Sequence, residues 1–267
     1  MTETPDTALE RLRALVGELR LRGLAAVLDE ELARFEKHPG SVTELLHRLL
    51  LEEARFRRER SLEHRLSEAH LPWPWTLETF PFERQPGVER TQLHSLAGLG
   101  FLGRAENLVF IGNPGTGKTG LAIALARQAC LAGHRARFYS AQDLLDELYA
   151  SLADRSTARL LKRLARYSPL IIDELGYLTL RPEQTNAFFK LMDQRYGRVS
   201  TIITTNLDYE AWYELFEKKP LVDALLDRLQ HHCITLRIEG PSLRAPPPTA
   251  PEGEPPGTAK KRTPKRS

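Results

Sequence analysis

The sequence predicts an α/β fold, a parallel sheet sandwiched by helices and preceded by a small all-α unit. Three observations carry that expectation. Between residues 104 and 240, short β-rich runs alternate with helical stretches, as a sheet built through crossover helices requires. A glycine-rich run at 112–119 sits between an apolar strand and a helix. Across the first 70 residues the apolar positions recur every three or four, the spacing of amphipathic helices.

Taken in order, Leu9, Leu12, Val16, Leu19, Leu24, Leu28, Leu32 and Phe35 mark one long helix over about 7–37, eased at Gly17 or Gly23. Pro39 and Gly40 break it. Ser41 and Glu44 have capping-box spacing, so a second helix starts there and runs through Leu45, Leu49, Ala54 and Leu62 to the break at Pro72. Pro72, Trp73, Pro74 and Trp75 cannot continue a helix, and with Phe80 and Phe82 they read as an extended, aromatic-anchored connection. Expected strands are Leu108 to Ile111, Arg137 to Tyr139, Leu170 to Ile172, Thr201 to Thr204 and Ile234 to Ile238, with a helix from Gly120 to Leu131. Beyond Arg244 a Pro-rich, then basic tail has little to bury and is expected to be disordered.

Composition is that of a soluble globular protein, with 41% hydrophobic and 27% charged residues. No apolar run approaches the roughly 20 residues of a bilayer span, and the start of the chain is acidic, so a cytoplasmic protein without membrane contact is expected. Cys130 and Cys233 lie among apolar residues and read as buried free thiols. The net charge of +3 resides in the tail, where Lys260, Lys261, Arg262, Lys265 and Arg266 outweigh Glu252 and Glu254. Residues 1–244 are therefore near neutral, and nucleic-acid binding has to rest on local clusters.

Gly112, Asn113, Pro114, Gly115, Thr116, Gly117, Lys118 and Thr119 match the phosphate-loop pattern G-x-x-x-x-G-K-[ST]. The glycines let the backbone curl so that successive N–H groups face the phosphates of ATP at the positive end of the following helix. Lys118 reaches the β- and γ-phosphates in this reading, and the Thr119 hydroxyl holds Mg2+. Leu170, Ile171 and Ile172 lead into Asp173 and Glu174. Asp173 is the expected magnesium partner, and Glu174 the residue that orients and polarises the attacking water. Asn206, just past a strand, either hydrogen-bonds that water or the γ-phosphate, or caps the helix that begins near Tyr209.

These motifs, with the runs LARYSPLIIDELGYL at 164–178, STIITTNL at 200–207 and LLDRLQHHCITLRIEGPSLR at 225–244, resemble the IstB-type transposition helper ATPases. That family lies in the AAA+ group, with the helicase loader DnaC and the initiator DnaA. The likeness spans about residues 9–244 and includes the connector LETFPFERQPGVER. With the break before Pro72, the chain divides into a helical N-terminal domain over 1–70, a connector over 71–103 and an AAA+ ATPase domain over 104–244, with the tail over 245–267 outside the likeness. The likeness assigns Asn206 to a sensor role, and makes Arg228 an arginine finger acting in trans on a neighbouring subunit's γ-phosphate, hence a homo-oligomer. On sequence alone Arg228 reads rather as a helix-surface arginine. Gly120 and Leu243 depart from the family, which often carries His and Tyr there. No separate helical lid is expected after the sheet, so a lid arginine is missing or replaced, and Arg244 is a weak candidate.

Two local clusters are basic. Arg55, Arg57, Arg58, Arg60 and Arg65 are interrupted by Glu59 and Glu63. Arg155, Arg159, Lys162, Arg163 and Arg166 fall at spacings of three and four, which on one helix makes either a phosphate track for DNA or a solvated face. The resemblance favours an ATP-dependent, DNA-binding assembly factor whose partner is an integrase-type transposase. The alternative is a DnaC-like loader that grips a replicative helicase. A GTPase would carry an Asn-Lys-x-Asp guanine motif, which is absent; a small-molecule kinase and a nucleotide-switched scaffold are the remaining classes.

Overall fold

The computed structural model describes residues 7–176, 178, 180–216 and 219–244. The chain opens with helices α1 (Ala8–Glu18), α2 (Arg22–Lys37) and α3 (Val42–Ala69). The expected single helix over 7–37 is interrupted at neither glycine: the break falls at Arg20, whose φ of 56° leaves the helical region. Gly23 instead permits close packing, since a side-chain carbon there would stand 2.5 Å from Cβ of Phe56 on α3. Buried Glu53 of α3 accepts from the N–H groups of Gly23 and Leu24 at 2.8 and 3.1 Å, satisfying donors that the first turn of α2 leaves unpaired. Ser41 does stand at the start of α3, but the capping box does not form, because the N–H of Glu44 donates to the Ser41 carbonyl at 3.1 Å.

Short helices α4 (Arg90–Ala97) and α5 (Gly100–Gly103) close the connector. Then strands and helices alternate: β1 (Asn107–Gly112), α6 (Lys118–Leu131), β2 (Arg137–Ser140), α7 (Ala141–Ala153), α8 (Thr157–Leu164), β3 (Leu170–Asp173), α9 (Pro182–Arg195), β4 (Thr201–Thr205), α10 (Trp212–Leu215), α11 (Lys219–His231) and β5 (Cys233–Ile238). The five strands form one sheet in the order β2-β3-β4-β1-β5, every neighbouring pair parallel. Strands β3 and β4 are buried along their whole length, as parallel strands covered on both faces are. Alternate residues serve opposite layers. Val109, Ile111, Ile172 and Ile203 pack with α7 to α11, whereas Leu108, Phe110, Ile171 and Ile202 pack with α6, the connector and Ala69 at the end of α3.

Packing divides inside α3. Its first half joins Leu45 and Leu49 to Val16, Leu24 and Leu28 in a small separate core. Its second half docks on the α6 layer of the sheet, where Arg65 Nε donates to the Cys130 carbonyl at 2.9 Å and Arg135 pairs with Glu68 at 2.7 Å. On the far side of the sheet Arg195 is fully buried. Its guanidinium donates to Thr201 Oγ1 and to the carbonyls of Leu164 and Ser200 at 2.9, 2.6 and 2.5 Å, tying the end of α8 to the foot of β4. Burial pulls its pKa down to about 9. Cys130 is buried as expected, while Cys233 is only partly so; neither forms a disulfide. The Pro-rich basic tail at 245–267 lies outside the described residues.

Candidate functional site

The phosphate loop joins β1 to α6, and Gly117 takes φ 94°, a left-handed conformation that suits glycine. Space demands glycine there too: a side-chain carbon on Gly117 would lie 2.8 Å from the Phe80 ring of the connector. Lys118 Nζ donates to the carbonyls of Gly112 and Asn113 at 2.7 and 2.8 Å, so the ammonium is held across the loop. Burial lowers its pKa, while Asp173 and Glu174 oppose the shift.

In the sheet β4 lies between β1 and β3, so Asp173 is not on the strand next to the phosphate loop. The gap is spanned by hydroxyls. Asp173 Oδ1 accepts from Thr119 Oγ1 at 2.8 Å and from Thr204 Oγ1, on the intervening strand, at 2.6 Å. Burial raises the Asp173 pKa, the two hydroxyls lower it, and the charge of Glu174 raises it again. The Thr204 hydroxyl also accepts from the N–H of Glu174 at 2.9 Å. Glu174 has φ 60°, an uncommon backbone for a residue with a side chain, and one that concentrates at functional positions. Thr204 therefore fixes both members of the acidic pair, a role that the sequence reading missed; only the order of the strands brings it there.

Thr119 and Asp173 suit magnesium, a hard cation that takes few protein oxygens and keeps water or phosphate in its other positions. Among the described residues no cluster of three or more His, Cys, Asp or Glu is arranged for a metal. Asn206 is not a helix cap: Asp208 stands at the start of the short 3₁₀ turn that precedes α10. Asn206 Oδ1 is buried without a hydrogen-bond partner beside the phosphate loop. A cavity of about 460 Å³ is lined by Pro114, Gly117, Lys118 and Thr119, by Glu174 and Asn206, and by residues of the connector. Arg244 lines it as well, from a segment fastened to the loop by the Leu243 N–H, 2.8 Å from the Gly115 carbonyl. Gln85, fully buried, donates to the carbonyls of Thr116 and Pro241 at 3.1 Å each, so the connector braces the same junction.

Arg228 does not line this cavity. It sits on α11, 2.7 Å from Asp193 and over the Tyr196 ring at 5.7 Å. The basic cluster at 155–166 does not share one helical face. Helix α8 covers only Thr157–Leu164, so Arg155, with φ 58°, precedes it and Arg166 follows it. The reason is local: the Asp154 carboxylate accepts from the Ser156 N–H at 2.9 Å, which turns the chain before α8 begins. All five basic residues are exposed, but Arg163 is engaged by Glu147, leaving Arg159 and Lys162 as the exposed basic pair on the helix itself.

No described helix is long and apolar enough to cross a membrane. The sequence model of the IstB-like ATP binding proteins matches residues 14–247. The chain is 39% identical over 236 residues to an insertion sequence IS21 protein of Pseudomonas aeruginosa named for ATP binding, covering 88% of this chain and 89% of that protein. It is 35% identical to the corresponding IS5376 protein of Geobacillus stearothermophilus, covering 78% and 82%. Among solved structures the DnaC helicase loader is similar, with a TM-score of 0.50 and 25% identity over 62% of this chain and 98% of that one. AMPPCP-bound DnaA from Aquifex aeolicus shares the fold at a TM-score of 0.51 and 20% identity, covering 63% and 51%.

Proposed function

Because the chain belongs to the IstB-like ATP binding protein family and is a P-loop ATPase of the AAA+ group, we propose that it spends ATP to assemble on DNA and present a target site to a transposase. The observation that carries the hydrolytic part is the Thr119–Asp173–Thr204 hydroxyl–carboxylate cluster beside Lys118. In this reading the loop N–H groups and Lys118 bind the triphosphate. Thr119 and Asp173 hold Mg2+, which when bound neutralises charge on the β- and γ-phosphate oxygens. Glu174, its backbone fixed by Thr204, accepts a proton from the attacking water, and Asn206 orients that water or the γ-phosphate. Arg228, placed away from its own cavity, completes the site of a second copy. Turnover then rises with protein concentration.

The insertion-sequence names of the relatives support transposition as the setting. Exposed Arg159 and Lys162 support DNA as the surface on which the copies gather. The likeness to DnaC supports a helicase loader as the second reading. Co-purification separates them, with a transposase in the first case and a replicative helicase in the second. The direct test of the site is Glu174→Gln, which is expected to keep ATP affinity within a few-fold and to lose turnover by roughly 100-fold or more. Undiminished turnover in that variant removes Glu174 from the mechanism.

A further inference from the structure

We propose that the connector supplies a base-stacking subsite for the bound nucleotide, formed by the indole of Trp75 with Trp73 at its mouth. The inference rests on the reading of the loop as an ATP site and adds the group that receives the base. The cavity lined by Gly117, Lys118 and Thr119 is lined also by Trp73, Trp75, Phe80 and Pro81. Part of its lining thus offers backbone N–H groups and a cation, suited to phosphate, and part is aromatic. Joined through a ribose, a triphosphate and a flat heteroaromatic base match that pair of linings.

The placement of the indole is specific. A side-chain carbon built on Gly120, in the first turn of α6, would stand 3.4 Å from Cδ2 and 3.6 Å from Cε2 of Trp75. The indole therefore lies beside the first turn of the helix that carries Lys118 and Thr119. Phe80 supports it from beside Gly117, with ring centroids 6.3 Å apart and planes tilted by 55°. Phe80 is buried and acts as a wedge, whereas Trp75 is half-buried, so the indole is both supported and accessible. Trp73 is 54% exposed, a large apolar ring left in water at the mouth of the cavity. Aromatic side chains receive nucleobases through their π faces, without regard to the pattern of donors and acceptors on the base edge.

The test compares ATP with inorganic tripolyphosphate, which has the charge but no base, by calorimetric titration of the full chain with Mg2+. Trp75→Ala is expected to weaken ATP roughly tenfold or more and to leave tripolyphosphate within twofold. Trp75→Phe is expected to retain most of the ATP affinity. Trp73→Ala, which removes an exposed ring and spares the packed connector, is expected to weaken ATP alone by a smaller factor. In the wild type, ATP should quench tryptophan fluorescence and tripolyphosphate should not, because Trp212, the third tryptophan, is fully buried elsewhere. Equal losses for both ligands in Trp75→Ala, or unchanged ATP affinity in Trp75→Ala and Trp73→Ala together, overturn the subsite. A wild-type chain that binds neither ligand overturns the ATP reading itself.

Discussion

At the scale of single residues, Asp173 shows how a site can be useful and costly at once. Its carboxylate is buried and held by two hydroxyls, and burial outweighs them in raising its pKa from the usual 3.8. A carboxyl harder to ionise in the folded chain binds protons more tightly when folded. Its contribution therefore favours folding fully below about pH 3.8 and is lost as pH rises through the higher folded value. Asp173→Asn, which can still accept from both threonines, should melt higher than wild type at pH 7, by roughly 2–4 °C for each kcal/mol recovered. It should also flatten the acid side of the stability profile and lose magnesium-dependent turnover. Thermal melts from pH 4 to 8 with a parallel turnover assay check this; a lower melting point in the variant would mean that the ionised carboxylate is a net stabiliser. Lys118, Thr119, Asp173 and Glu174 were legible in the sequence because their motifs are local. Thr204 and Trp75 were not, because each reaches the site only through an element remote in the chain.

At the scale of elements, strands were easier to read than helix ends. Each expected strand is present and extends by a residue or two, since apolar runs flanked by polar residues mark a buried parallel strand. The break at Arg20 and the short α8 escaped because both depend on backbone turns in residues with ordinary side chains. That matters for the proposed DNA track, which narrows to Arg159 and Lys162 on α8. Reversing both charges should weaken binding to unrelated DNA sequences alike and reduce the slope of log affinity against log salt by roughly one for each phosphate no longer neutralised. Unchanged affinity and slope in a fluorescence-anisotropy titration would move the DNA surface elsewhere.

For the whole molecule, the stop at Pro72 marks where α3 ends, but the small helical core and the ATPase layer meet within that helix. A chain starting at residue 42 should retain ATP binding and melt within a few degrees of the full protein. One starting at residue 72 loses the cover of Cys130 and the Glu68 anchor for Arg135, and should melt well below both or fail to fold. Circular dichroism melts of the two truncations decide between this shared helix and a freely separable front end.

The strand order also bears on how the chain finds its fold. β3 and β4 pair Leu170 with Thr201, Ile171 with Ile202 and Ile172 with Ile203, and the next step sets Asp173 beside Thr204. A slip of one residue in one direction would put Ile203 against that carboxylate, depriving a buried acid of the Thr204 hydroxyl. The two aliphatic pairs tolerate such an error far better than the polar pair does. The group that binds magnesium in the proposed mechanism thus also proofreads the alignment of the sheet, so misassembled chains are penalised before they ever meet a nucleotide.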